Sequence, residues 1–197
     1  MNGLFGKRVY GIHESVGAAE LHEAYLITDE TGNTRLGSAV ERASTGRKIA
    51  KAFFDKSWLP VTVDVADEAG KKLLELDAAG WRPYARITVK NADGAVIGVL
   101  HEAGCTFKPR LDITDAAGAA LGTCRGDLFG RVFSFTDTAG APVGRIEHLW
   151  IEHLWGGAAR ELLTTADDYR VEITGDQANA PLVLAAALAV DLIWHEN

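Results

Sequence analysis

The chain has 197 residues, 47% apolar and 24% charged, which suits one globular domain whose core needs no staple. Its formal charge of −7 argues against a broad nucleic-acid footprint and against bulk attraction to an anionic membrane, though a local basic patch remains compatible with it. Two cysteines, Cys105 and Cys124, exclude a disulfide framework and read as free thiols in a reducing compartment.

Residues 1–197 read as a single domain, with residues 1–22 forming either an N-terminal extension or a first strand. No charged-then-apolar leader opens the sequence, and the Gly that myristoylation requires directly after Met is missing. No prenylation Cys closes it. The expected setting is therefore cytoplasmic.

Arg42 to Lys56 reads RASTGRKIAKAFFDK. It holds Arg42, Arg47, Lys48, Lys51 and Lys56 against one acid, Asp55, a local charge of +4 in an acidic protein. Ser44 or Thr45 can cap a helix whose apolar side carries Ile49, Ala52 and Phe53. A basic amphipathic helix can lie on an anionic membrane, where each cation is worth about 1 kcal/mol. The same pattern also describes a helix packed across a barrel opening with its basic side solvated. These five cations are the candidate ligands for lipid headgroups.

Five similar turns punctuate the chain: Asp29 to Gly32, Asp67 to Gly70, Asn91 to Gly94, Asp115 to Gly118 and Asp137 to Gly140. Asp or Asn first and Gly fourth marks a type I turn, and such a loop joins a hairpin through a glycine bulge. The last four of these glycines sit 24, 24 and 22 residues apart, the period of a repeated unit. Val61, Val63 and Val65 alternate with polar residues, as do Ile87 and Val89, Leu111 and Ile113, and Phe133 and Phe135. Alternation of this kind means strands with one buried face. Gly98, Gly122 and Gly144 follow the last three turns at a fixed offset, and Gly inside a strand marks a bulge or a tight bend at a barrel corner. The count comes to roughly ten to twelve antiparallel strands. A sheet that long curls or closes, and closure removes its edges.

Cys105 and Cys124 flank one hairpin. Counting outward from the centre of the Ala116–Ala117 turn sets Cys124 opposite Pro109, so the two thiols are not opposed. His148 and His153 flank the partial duplication HLWIEHLW, on opposite faces of a strand and well apart on a helix, so a shared metal is not expected. His13, His22, His101 and His195 show no ligand spacing either. Trp150 and Trp155 suit a membrane-interface pair or packing at the core or rim. No nucleophile elbow, phosphate loop or dinucleotide fingerprint is present, and nothing argues for catalysis.

From Ala180 to Trp194 the only charge is Asp191. Asn179 is a good N-cap and Pro181 fits the first turn. The helix is about 22 Å long, short of the ~20 residues that span a bilayer. A helix apolar on every side must be buried, so the economical architecture is mainly β (α+β): a closed antiparallel β-barrel of about twelve strands around a central hydrophobic C-terminal α-helix. Ala185, Ala186, Ala187 and Ala189 would let strands approach. Two readings of Asp191 stand. It pairs with Arg160 in the interior, or it sits at the barrel mouth and meets water.

The string Trp155, Gly157, Arg160, Glu161, Thr164, Ala166, Asp167 and Tyr169 resembles the C-terminal region of phospholipid scramblases, and the terminal run with Asp191 resembles their last helix. VTVDVADEAGKKLLEL, ARITVKNADGAVIG and PRLDITDAAGAALG line up in order with scramblase hairpins, and AYLITDETGNTR with the opening strand pair. The likeness runs over residues 23–197 and extends to the tubby C-terminal domain and the LURP-one-related proteins. It implies a twelve-stranded barrel around a helix, with Trp155, Gly157, Arg160, Glu161 and Asp191 in structural roles. It also implies peripheral membrane association with phospholipid or phosphoinositide headgroups, no enzymatic activity, and placement on the inner face of the membrane. Lipid scrambling, or a protein-interaction scaffold that has lost lipid binding, are the alternatives. Calcium is the one cofactor the likeness suggests, at Asp167, Asp168 and Asp176. The family's first acid in that segment is Thr165 here, which weakens such a site.

Overall fold

Strict alternation builds the wall of the molecule. The computed structural model describes residues 3–15, 24–42, 60–79, 84–104, 108–149 and 168–195. In it Val61, Val63 and Val65 are buried on one face of their strand, while Thr62 and Asp64 on the other are only half-buried. The strands are β1 (Val9–Ser15), β2 (Ala24–Asp29), β3 (Arg35–Glu41), β4 (Val61–Asp67), β5 (Lys72–Ala79) and β6 (Arg86–Asn91), then β7 (Val96–Glu102), β8 (Arg110–Thr114), β9 (Ala120–Gly126), β10 (Val132–Asp137), β11 (Pro142–Leu149) and β12 (Asp168–Ile173). Each is antiparallel to the next, and β1 pairs with β12 from Val9↔Glu172 to His13↔Asp168, so the sheet closes into a twelve-stranded barrel. No strand is left with an open edge.

The two ends of the barrel differ. The five Asx–Gly turns all join an even strand to the following odd one and therefore share one end, the turn end. The odd-to-even connections leave from the other, the loop end. At the turn end, Asp115 Oδ1 accepts from the Ala117 and Ala119 amides at 2.8 Å, and the same arrangement recurs at Asp137. Each of these hairpins carries a one-residue register shift beside its turn, for example between Ile113 and Thr114. That bulge corrects the register expected for Cys124. It lies opposite Leu111, not Pro109, because counting from the turn centre omits two extra residues on the β9 side, Gly118 of the turn and the one at the bulge. Cys124 is buried, and burial pushes its thiol up to about 12. Cys105 lies outside the described residues.

A helix fills the barrel. Helix α1 (Ala180–Val190) follows a 3₁₀ turn (Gln177–Asn179) and ends in a π turn (Asp191–His195). Val183 to Val190 are buried without interruption. The cap differs from expectation. Asp176 Oδ1 accepts from the Ala178 amide at 2.9 Å, whereas Asn179 is already helical in backbone and caps nothing with its side chain. The short 3₁₀ turn moves the start of the helical run three residues upstream, so the cap moves with it. Pro181 sits in the first turn.

Two of the three strand glycines are placed where wall meets helix. A Cβ on Gly144 would lie 2.7 Å from Val183 Cγ1 and 3.0 Å from the Glu172 carbonyl, and one on Gly98 would lie 2.5 Å from Leu182 Cδ2. A Cβ on Gly122 would instead meet the backbone carbonyl of Thr136 on the next strand. Val183 is buried and stiff at χ1, whereas the Leu182 methyl ends a flexible, half-buried side chain. Gly144→Ala should therefore destabilise by about 1–3 kcal/mol and Gly98→Ala by clearly less. Urea unfolding midpoints test this, and equal losses would contradict it.

Candidate functional site

Arg42, at the end of β3, is the one candidate headgroup ligand among the described residues; Arg47, Lys48, Lys51 and Lys56 lie outside them. Its guanidinium is not isolated. Nε donates to Asp64 Oδ2 at 3.0 Å, and one terminal nitrogen donates to Asp64 Oδ1 at 2.7 Å and Glu75 Oε2 at 3.0 Å. Register brings Asp64 and Glu75 side by side across β4 and β5. Lys72 Nζ lies 3.0 Å from Asp64 and also bonds Glu75, while Lys90 Nζ lies 3.0 Å from Glu75 and also bonds Asp77. Thr62 donates to Asp77 at 2.8 Å. The outer face of β3 to β6 thus carries a neutral lattice in which Arg42, Lys72 and Lys90 balance Asp64, Glu75 and Asp77. A phosphate could reach Arg42 only by exchanging with these carboxylates.

Glu75 sits at the centre of that lattice. Hydrogen bonds from Lys72, then Lys90, hold its carboxyl down at about 2 against the opposing effect of burial.

A second cluster lies where the barrel closes. His13 on β1 faces Asp168 on β12 across the seam, with Nδ1 2.8 Å from Asp168 Oδ1. Its Nε2 lies 3.1 Å from Thr28 Oγ1 on β2. With Nδ1–H donated to Asp168, Nε2 accepts from the Thr28 hydroxyl. Gly11 makes room: a Cβ there would lie 2.6 Å from Thr28 Oγ1 and 2.8 Å from His13 Nε2. The order hydroxyl, imidazole, carboxylate is that of an activated nucleophile. Thr28 is only 1% exposed, however, so a substrate carbonyl has no approach to its oxygen in this conformation. The relay therefore ties three strands together. A cleft beside it is lined by Gly11, Glu30, Leu149 and Arg170.

The third polar feature is inside. Asp191 is 2% exposed, which rules out the reading in which it meets water at the mouth. Tyr25 donates to its Oδ2 at 2.5 Å and Tyr169 donates to Oδ1. Both tyrosines are inward residues of flanking strands, so the wall supplies donors to the helix end. Arg160, the expected partner, lies outside the described residues. The ring of His148, inward on β11, packs on Tyr169 with centroids 5.0 Å apart.

The scramblase family model matches residues 9–197. The chain belongs to the Scramblase family. No curated protein sequence matches it. A solved X-ray structure of a protein from Arabidopsis thaliana is similar, with a TM-score of 0.52 at 11% identity over 96% of this chain and 93% of that one. At that identity the likeness speaks to the fold, the tubby-like barrel around a helix that the sequence resemblance implied.

Set within the scramblase fold, the two described calcium candidates, Asp168 and Asp176, lie apart. Asp168 opens β12 at the loop end and engages His13, whereas Asp176 caps the 3₁₀ turn at the turn end, about 20 Å away along the strand. Asp167 lies outside the described residues, as do Trp155, Gly157, Arg160 and Glu161. Among the described residues no three His, Cys, Asp or Glu side chains form a metal-binding group. His13 and Thr28 were missed by local spacing, because only the closure register brings them to Asp168.

Two outcomes follow. The ionised form of Glu75 is favoured in the fold, so its contribution is present above the ordinary carboxylate range and fades as pH falls towards about 2. Glu75→Gln should remove that acid limb and lower stability at neutral pH by ~1 kcal/mol, after allowing for the solvent exposure of its partners. Chemical unfolding of both proteins between pH 7 and pH 2 checks this. Asp191→Ala leaves two buried hydroxyls without their acceptor and should destabilise by about 2–4 kcal/mol, with Asp191→Asn milder. Thermal melts would show the ranking.

Proposed function

We propose that this scramblase-family barrel is a peripheral phospholipid-binding module, without catalytic activity, that presents its loop end to an anionic membrane on the cytoplasmic side. The observation that carries the reading is the cluster of exposed cations at the β8–β10 corner of the loop end, Lys108, Arg125 and Arg131. The turn end displays Asp29, Glu30, Asp67, Glu68, Asp93, Asp115 and Asp137 at its hairpin tips, with Lys7, Arg8, Arg35 and Lys71 exposed beside them. The loop end displays Arg86, Lys108, Arg125 and Arg131 beside Arg42 and Arg110, which pair with carboxylates, and it also carries Glu14, Glu102, Asp127 and Glu147. The chain also leaves β3 at that end with the basic stretch that follows Arg42 in sequence. A net charge of −7 does not by itself oppose docking through that corner, because the acidic hairpin tips lie at the other end.

Phosphoinositide-type headgroups are the finer reading, since several cations around one rim suit a multiply charged phosphate. Lipid scrambling has less support. The run Gln177–Trp194 is apolar enough to cross a membrane by length and composition, but 61% of it is buried within the barrel, where it offers lipids no path.

Co-sedimentation with phosphatidylcholine vesicles, with or without phosphatidylserine or a phosphoinositide, tests the proposal. Binding should require the anionic lipid and fall with salt. Reversing two cations, either at the rim (Arg125→Glu with Lys108→Glu) or in the basic stretch after Arg42 (Lys48→Glu with Lys51→Glu), should weaken it about tenfold or more. Capture of a protein partner with no vesicle binding in any lipid would favour the scaffold alternative.

A further inference from the structure

The connection between β9 and β10 repeats the Asx–Gly turn, but at the opposite end of the barrel and with different chemistry at its tip. It reads Asp127-Leu128-Phe129-Gly130. Asp127 Oδ1 accepts from the Phe129 amide at 3.2 Å and the Arg131 amide at 2.8 Å, and Gly130 adopts φ 65°, where glycine is unstrained. The turn is thus as firmly braced as the five polar ones. Those carry Glu30-Thr31, Glu68-Ala69, Ala92-Asp93, Ala116-Ala117 and Thr138-Ala139 at their tips. This one holds Leu128 at 66% and Phe129 at 77% exposure. A braced backbone that pushes two large apolar side chains into water gains nothing for the fold.

Cations surround the tip. The Arg131 guanidinium lies over the Phe129 ring, 5.5 Å from its centroid. Arg125 follows on β9 without a carboxylate partner among the described residues, in register with Arg110 on β8. Lys108 precedes Arg110, and Pro109 accepts from the Gly126 amide at 2.8 Å, which draws the β8 and β9 ends together.

We infer that Leu128 and Phe129 form a wedge that inserts into the interfacial zone of an anionic phospholipid bilayer while Arg125, Arg131 and Lys108 meet its headgroups, Arg110 being held by Asp112 at 2.6 Å. The charge pattern selects this occupant. Two apolar side chains flanked by cations make too small an apolar surface for a specific protein interface, yet they match the layering of a membrane, with phosphate outside and acyl chain within. This inference rests on the phospholipid-binding reading and adds to it which residues enter the lipid and how the barrel is oriented.

The test uses the full chain with vesicles of phosphatidylcholine and phosphatidylserine. Leu128→Ser with Phe129→Ser changes only exposed side chains and leaves Asp127 and Gly130 to hold the turn. Its vesicle partitioning should fall tenfold or more, and the residual binding of wild type at high salt should vanish. In a Cys105→Ser background, an environment-sensitive dye on Phe129→Cys should shift to the blue on vesicle addition, while one on Ala116→Cys at the turn end should not. If wild type sediments with vesicles but the double variant does so equally and the dye at 129 stays in water, the wedge is refuted and headgroup binding stands. If wild type sediments with no vesicle, the lipid reading fails and the wedge with it. If the double variant instead converts a dimer into a monomer with no change in vesicle binding, the tip is a contact between copies of this chain and the inference is overturned.

Discussion

A helix that is apolar on every side has no face to offer water, so it dictates an enclosure. Everything in this molecule answers that demand. The wall must surround α1 completely, which requires a sheet long enough to close. It must also come close enough to leave no void, which requires small groups at the contact. Alanines on the helix and Gly98 and Gly144 on the strands meet that second requirement from both sides. Once the axle is buried, any polar atom on it must find its partner within the barrel. Asp191 does so through hydroxyls that the wall supplies from β2 and β12.

The repeated Asx–Gly turns serve closure in another way. Each adds a bulge beside its hairpin, always at one end. Bulges raise local twist, and their repetition at one rim coils the sheet towards closure. Because that rim is occupied by short turns, the longer connections are confined to the opposite rim. The polarity of the molecule along its axis is thus tied to the geometry that shapes the barrel.

Much of this was legible in the chain. The turn signature, the alternation around Val61 to Val65 and the uninterrupted run after Ala180 are local features, and each states its own burial. The register of Cys124 was less so, because two extra residues, Gly118 of the turn and the one at the bulge, shift the pairing by an amount that counting from the turn centre does not supply. The His13–Asp168–Thr28 relay was not legible at all. Its members come from three strands, and their meeting depends on which residue of β1 faces which residue of β12. The wedge at Leu128 and Phe129 was in plain view as a sixth D-x-x-G string, but its meaning lay in which end of the barrel it occupied. The partners of Asp191 were hidden for a similar reason, since Tyr25 and Tyr169 lie on separate strands that only the closed barrel brings to the end of the helix.

The seam between β1 and β12 has a temporal side. Its contact partners, such as His13 and Asp168, are separated by 155 residues. At the usual pace of synthesis, that interval is on the order of ten seconds. Throughout it β1 has one unpaired edge and the growing ring holds an unfilled, greasy hollow. The clasp and the plug are both made late, so the nascent polypeptide must be kept from zipping onto its neighbours until the ribosome has delivered them.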